Sequence, residues 1–106
     1  MTTALRWLEF DYSDGDDGTG TFDAMASVPL HQVPDVQADV DAALAWAESA
    51  FAGRRGPVEE GGEWDADLQV VDEPGNPPRR CFSLSISGTR AFCRAFGEQF
   101  SEDGTP

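Results

Sequence analysis

Residues 64–87 read WDADLQVVDEPGNPPRRCFSLSIS and predict a β-hairpin. Apolar and polar residues alternate on both sides of residues 74–78, PGNPP, which is the two-residue period of half-buried strands separated by a turn. The side expected to face the core carries Trp64, Ala66, Leu68, Val70, Phe82, Leu84 and Ile86. The opposite side carries Asp65, Asp67, Gln69, Val71, Cys81, Ser83, Ser85 and Ser87.

A helix is expected to follow this hairpin from about Thr89. Phe92, Phe96 and Phe100 recur every four residues, so they share one stripe of the helix and should be buried. Residues 102–106 are expected to form a disordered tail.

The first half of the chain predicts the same order of elements. Residues 5–12, LRWLEFDY, favour a strand, and the Asp-Gly pairs within residues 13–20 favour a turn before a second strand over residues 21–28. In the first strand Leu8, Phe10 and Tyr12 should face the core, with Trp7, Glu9 and Asp11 opposite. A register shift of one residue would instead turn Trp7 inward.

The most regular apolar period lies between these two halves. Asp35 is a candidate N-cap for a helix through Ala52, and Gly53 is a suitable residue to end it. The expected buried stripe consists of Val36, Val40, Ala43, Leu44, Ala47 and Phe51, whereas Asp39, Asp41, Glu48 and Ser49 lie off it.

Together these elements predict one α+β domain over residues 1–106 in the order ββαββα. Short connections favour a mainly antiparallel four-stranded sheet with both helices on one face. Arg6-Trp7 and Glu63-Trp64 begin the two ββα units, but the identity between the units is too low to indicate duplication.

The charge of the chain limits its partners. Its 20 acidic residues, 7 arginines and absence of lysine give a net charge of -13. Such a surface repels nucleic acid and anionic lipid and favours a protein partner with a basic surface. The alternative is that the composition reflects the genome or a salty cytoplasm. With no signal peptide or apolar span in the sequence, a cytoplasmic location is expected.

The sheet face away from the helices is the candidate partner surface. Its carboxylates surround two large apolar side chains, a composition suited to an interface. The expected partner-binding residues are Trp7, Glu9, Asp11, Asp23, Met25, Asp65 and Asp67. The alternative is an ordinary solvated face with scattered apolar residues.

No metal or cofactor is expected. The aspartates of residues 11–23 are the best candidate cation ligands, but aligning Gly18 with the glycine of an EF-hand puts Ala24 where the bidentate acid belongs. Cys81 and Cys93 are expected to be free thiols, because strand and helix lengths separate them too far for a disulfide.

The sequence favours a non-enzymatic interaction domain. The only histidine, His31, has no nucleophile motif nearby, and there is no phosphate-binding glycine loop. An inhibitor, an immunity-type protein or a secretion chaperone would fit the size and charge. The alternatives are a small-ligand or cation-binding domain, using the acidic hairpin or a cleft between Trp46, His31 and the Arg54–Arg55 loop, and then an enzyme.

Overall fold

A computed structural model describes residue 5, residues 7–15 and residues 18–100, apart from the side chain at position 58. The predicted tail over 102–106 lies outside the described residues. The main elements are β1 (Asp11–Asp14), β2 (Thr19–Pro29), α1 (Val33–Ala50), β3 (Trp64–Glu73), β4 (Arg79–Thr89) and α2 (Arg90–Phe100). Short 3-10 helices span Leu30–Gln32 and Val58–Glu60.

The strands form one antiparallel sheet in the order β1-β2-β4-β3, which confirms the predicted α+β class and ββαββα order. β2 and β4 pair along their full lengths in the centre, with Phe22 opposite Ile86. β3 pairs with the outer side of β4, with Leu68 opposite Leu84. β1 is much shorter than β2 and pairs only with Gly20–Asp23.

Both helices pack on the face that carries the apolar alternation of β2 and β4. The predicted stripe of α2 is confirmed, because Phe92, Phe96 and Phe100 are all buried. The Phe92 ring stacks on Trp64 with centroids 5.7 Å apart, and the Phe96 ring packs against Phe22 at 4.8 Å. The α1 stripe contributes Val36, Val40, Ala43 and Ala47 to the same core.

The helix ends match the predictions in part. The Oγ1 atom of Thr89 accepts the Phe92 N–H at 3.2 Å and so caps α2 at the predicted place. The N-cap predicted at Asp35 is wrong, because α1 begins at Val33. Pro34 lies in its first turn, where the missing N–H costs no helical hydrogen bond. Gly53, with a φ of 74°, follows the last turn as expected.

The predicted first strand over residues 5–12 is wrong in extent. Only Asp11–Asp14 forms a strand, and residues 7–10 lie outside it. The backbone N–H groups of Trp7 and Leu8 donate to Oδ2 of Asp39 at 2.6 Å and 3.1 Å. A helix side chain therefore satisfies donors that a strand would direct to its neighbour. Asp39, expected off the buried stripe, is only 7% exposed.

Two side chains predicted to face the core are substantially exposed. Tyr12 is 47% exposed, although its ring packs against Phe22 at 4.7 Å. Val70 is 45% exposed, because it lies in the outer half of an edge strand. Both residues therefore lie at the margin of the core.

Gly88 lets the end of β4 approach its neighbours closely. A Cβ atom at this position would lie 2.5 Å from the Glu63 carbonyl oxygen and 2.6 Å from the Phe92 ring. The absence of a side chain therefore allows Phe92 to enter the core beneath the sheet.

Cys81 and Cys93 are free, as predicted. Cys93 is buried, and this burial raises the pKa of its thiol. Cys81 is partly exposed on the face opposite the helices. No helix in the described part of the chain is long and apolar enough to cross a membrane.

Candidate functional site

The face of the sheet that the helices leave uncovered carries the alternation predicted from the sequence. Pairing aligns Asp11, Asp23, Ser85 and Asp67 in one row across the four strands. The next row contains Met25, Ser83 and Gln69, and the one after it contains Ser27, Cys81 and Val71. We call this surface the open face.

An open groove of about 520 Å³ lies on one side of the open face. It is formed where the chain before β1 diverges from β2, so that a space remains between that segment and the centre of the sheet. Its lining residues are Trp7, Glu9, Asp11, Asp23, Ala24, Met25, Ser83, Leu84 and Ser85. We call it the sheet groove. It contains five of the seven residues predicted to bind a partner.

Asp39 holds the outer wall of the sheet groove in place. Its carboxylate binds the backbone of Trp7 and Leu8, and Leu8 is buried in the core directly after Trp7. The Trp7 side chain is partly buried and packs against the core while also lining the groove. Its Nε1 atom is buried and has no hydrogen-bond partner among the described residues. Trp7 is therefore a wall residue rather than a freely exposed anchor.

The other side of the groove is polar at one end and apolar at the other. Ser85 Oγ donates a hydrogen bond to Oδ1 of Asp23, which directs that carboxylate along the sheet surface. Met25, one position further along the open face of β2, is 69% exposed. An exposed thioether in a groove that Trp7 also lines provides a flexible apolar contact.

The carboxylates of the sheet groove are not neutralised by the described arginines. The ion pairs within the described residues join Arg54 to Glu63, Arg55 to Glu48 and Asp65, and Arg80 to Asp72. None of them includes Glu9, Asp11 or Asp23. Because Glu9 and Asp11 are also exposed, the groove presents negative charge to an approaching molecule.

The remaining two predicted residues lie on β3, outside the groove. Asp65 forms an ion pair with Arg55 at 3.1 Å, and its Oδ1 also accepts the Ala66 N–H at 2.8 Å. The Ala66 N–H and the Arg55 side chain both lower the pKa of Asp65, and the Ala66 N–H is the larger cause. Asp67 is exposed and lies in the row of Asp23, roughly 10 Å away across two strand spacings.

The cleft considered as an alternative site is not assembled. His31 precedes α1 and Arg54 follows it, so the 18 residues of this helix, roughly 27 Å, lie between them. The Trp46 ring packs against the rings of Phe92, Phe96 and Phe100 instead of lining a cleft with His31. The cleft predicted from these residues is therefore absent.

The acidic hairpin between β1 and β2 is described in part, since Asp16 and Asp17 lie outside the described residues. Within the described ranges, no three His, Cys, Asp or Glu side chains are close enough together to hold a metal ion. At this end of the sheet Tyr12 hydrogen bonds to Asp14, which is the main reason that the pKa of Tyr12 rises to about 12.

The sequence did not identify four residues that line the groove, which are Ala24, Ser83, Leu84 and Ser85, nor Asp39, which holds its wall. Ala24 and Leu84 belong to the alternation that faces the core. Ser83 and Ser85 were placed on the open face but not in the site, because serines in an alternating strand carry no signal of their own. Asp39 is expected off the buried stripe. Asp39 lies one helical turn from both Val36 and Ala43, at the margin of the buried stripe. This position is the one feature of the sequence that indicates burial of its side chain.

Comparison of the chain with protein-family models, with curated proteins and with solved structures finds no match.

Proposed function

We propose that this protein is a non-enzymatic interaction domain that binds a protein with a basic surface through the sheet groove. The observation that carries the proposal is the convergence of Trp7 and Met25 around one open groove with the carboxylates of Glu9, Asp11 and Asp23, which form no ion pair within the described part of the chain. Apolar contact at such a site prolongs a complex, whereas the surrounding charge orients the partner and accelerates association.

The charge of the whole chain supports a basic partner. With a net charge of -13, the long-range field attracts a positive surface and opposes nucleic acid and acidic membranes. An inhibitor, an immunity-type protein or a secretion chaperone would use this chemistry by occupying a basic site in place of its usual anionic ligand. Two free thiols are consistent with a reducing compartment such as the cytoplasm.

The openness of the groove favours binding over catalysis. General acid-base chemistry by carboxylates needs enclosure that shifts their pKa and excludes water. Glu9, Asp11 and Asp23 are exposed instead, and the only histidine lies beyond the groove, before α1.

The test is affinity capture from the source cells at low salt, with matched variants. The groove variant Glu9→Gln/Asp11→Asn/Asp23→Asn is compared with Glu59→Gln/Glu60→Gln/Glu98→Gln, which removes the same charge from exposed sites elsewhere. A partner identified by mass spectrometry should be retained by the wild type and the control and lost from the groove variant. Equal capture by both variants would show that the groove is not the binding site.

A further inference from the structure

We propose that the outer edge of β3 is a second binding surface, which accepts an extended, positively charged protein segment as an additional antiparallel strand. This surface is separate from the sheet groove and does not depend on the function proposed for it. The edge runs along Asp67–Glu73, and β4 occupies only its inner side.

The start of β3 is already covered, which defines where a partner strand can bind. Arg55 forms a parallel bridge to Trp64, and its Nη2 atom donates to the Ala66 carbonyl at 3.3 Å. Beyond Ala66, no hydrogen bond joins the outer backbone edge of β3 to another described residue. An edge of this kind offers alternating N–H and C=O groups to an added strand.

The centre of this edge carries two exposed apolar side chains. Val70 is 45% exposed on one face of the sheet and Val71 is 57% exposed on the other. The side chains of an added strand alternate between the two faces of the sheet. One such strand would therefore cover both Val70 and Val71. Apolar residues in the centre of the added strand are therefore favoured.

Charge at the two ends of the edge selects a basic occupant. Asp67 and Glu73 both lie on the open face, one near each end of the uncovered segment. Neither forms an ion pair with a described arginine, whereas Asp72 is paired with Arg80 at 2.6 Å. Asp67 accepts the Gln69 side-chain amide of its own strand at 3.5 Å, and Glu73 accepts the Ser27 hydroxyl at 2.8 Å, which Arg79 also contacts. Asp67 is therefore the stronger of the two charges at this edge. The fitting segment therefore has a cation at each end and apolar residues between them.

A second copy of this chain is a poorer occupant. Two-fold antiparallel pairing of Asp67–Glu73 with itself is centred on Val70 and places Asp67 directly opposite Glu73 of the copy. Like charges opposed in this way destabilise strand pairing, and each copy has a net charge of -13. The same charges should oppose self-association along this edge.

The test uses a synthetic probe peptide, Lys-Thr-Val-Val-Thr-Val-Lys, titrated into the isotope-labelled full chain and followed by NMR. Antiparallel pairing would place its lysines opposite Glu73 and Asp67 and its two adjacent valines opposite Val71 and Val70. We expect saturable shifts of the Leu68–Glu73 amides and slower hydrogen exchange there. A control peptide with proline at the adjacent valines should not bind, because proline cannot pair as a central strand residue.

Charge reversal tests the selectivity. The peptide with glutamate in place of both lysines should bind on the order of tenfold more weakly. The variant Asp67→Lys/Glu73→Lys should reverse this preference. The groove variant Glu9→Gln/Asp11→Asn/Asp23→Asn should bind the probe as the wild type does.

Three results would overturn the proposal. The first is the absence of saturable shifts in β3, or equal binding of the proline peptide. The second is displacement of the shifts to Asp23–Met25 in the sheet groove. The third is that, without peptide, the protein sediments as a dimer and its β3 amides are already protected from hydrogen exchange. The edge would then be occupied by a second copy of the chain.

Discussion

Oδ2 of Asp39 accepts the backbone N–H of Trp7 at 2.6 Å, joining helix α1 to the segment that forms the outer wall of the sheet groove. The same oxygen accepts the Leu8 N–H, so a single carboxylate satisfies two consecutive donors. The wall is therefore fixed to the core of the domain rather than to the strand beside it.

Replacing Asp39 by alanine should release this wall. Losing hydrogen bonds to a charged group should lower the free energy of unfolding by about 2 kcal/mol, as measured by urea denaturation. The Trp7 emission, obtained by difference from the Trp7→Phe variant, should shift to longer wavelength and become easier to quench. Asp39→Asn should lose less, because its amide oxygen still accepts. Unchanged stability and emission in Asp39→Ala would show that the wall is held by other contacts.

Phe96→Ala should be the most damaging substitution on α2. The Phe96 ring is fully buried and contacts the rings of Phe10, Phe22 and Trp46. Removing a buried phenylalanine costs roughly 3–5 kcal/mol, which is comparable to the total stability of a small domain. Thermal denaturation should show an unfolded or strongly destabilised protein, with Phe96→Leu much closer to the wild type. A melting point close to that of the wild type in Phe96→Ala would contradict the packing described for α2.

Asp65 should titrate below its ordinary pKa of 3.8 for two separable reasons. In Arg55→Ala its pKa should rise but remain below 3.8, because the Ala66 N–H, the larger cause, is still present. Because the pKa is lowered in the folded state, the stabilisation by Asp65 is present above 3.8 and is lost as pH falls through the lowered value. Carboxyl NMR titration measures this directly, with Asp72 as the unaffected control. An Asp65 pKa that does not move would show that the ion pair with Arg55 is absent in solution.

Tyr12 should ionise at a pKa of about 12, well above the ordinary value of 10.0, mainly because it hydrogen bonds to Asp14. Because the chain has one tyrosine, the phenolate absorbance in an ultraviolet titration comes from Tyr12 alone. Asp14→Asn should bring the midpoint back toward 10.0. A wild-type midpoint already at 10.0, with the fold intact, would exclude the hydrogen bond.

The regular elements could be predicted because their signals are local. The alternation from Trp64 to Ser87 and the spacing of Phe92, Phe96 and Phe100 each determine one buried side, and the sheet combines them as expected. Residues 7–10 show where such reasoning ends. Their strand propensity is overridden by a carboxylate 31 or 32 positions away in sequence, a contact that no local pattern encodes.

The candidate site was predictable in its composition but not in its shape. Alternation placed Asp23, Met25 and Asp65 on the open face, where they are found. The groove itself exists because residues 7–10 leave the sheet, and Asp65 lies outside it because β3 is the edge strand beyond β4, away from β1. Both features depend on tertiary contacts between distant segments.

The most direct test of the account is the association rate of the captured partner as a function of salt concentration. The central claim is that the exposed carboxylates of the sheet groove guide a basic surface onto it. Glu9→Gln/Asp11→Asn/Asp23→Asn should therefore slow association and flatten its salt dependence, whereas Glu59→Gln/Glu60→Gln/Glu98→Gln should change both much less. Equal rates and equal salt slopes for the two variants would contradict the claim, because the charge would then act through the whole surface and not through the groove.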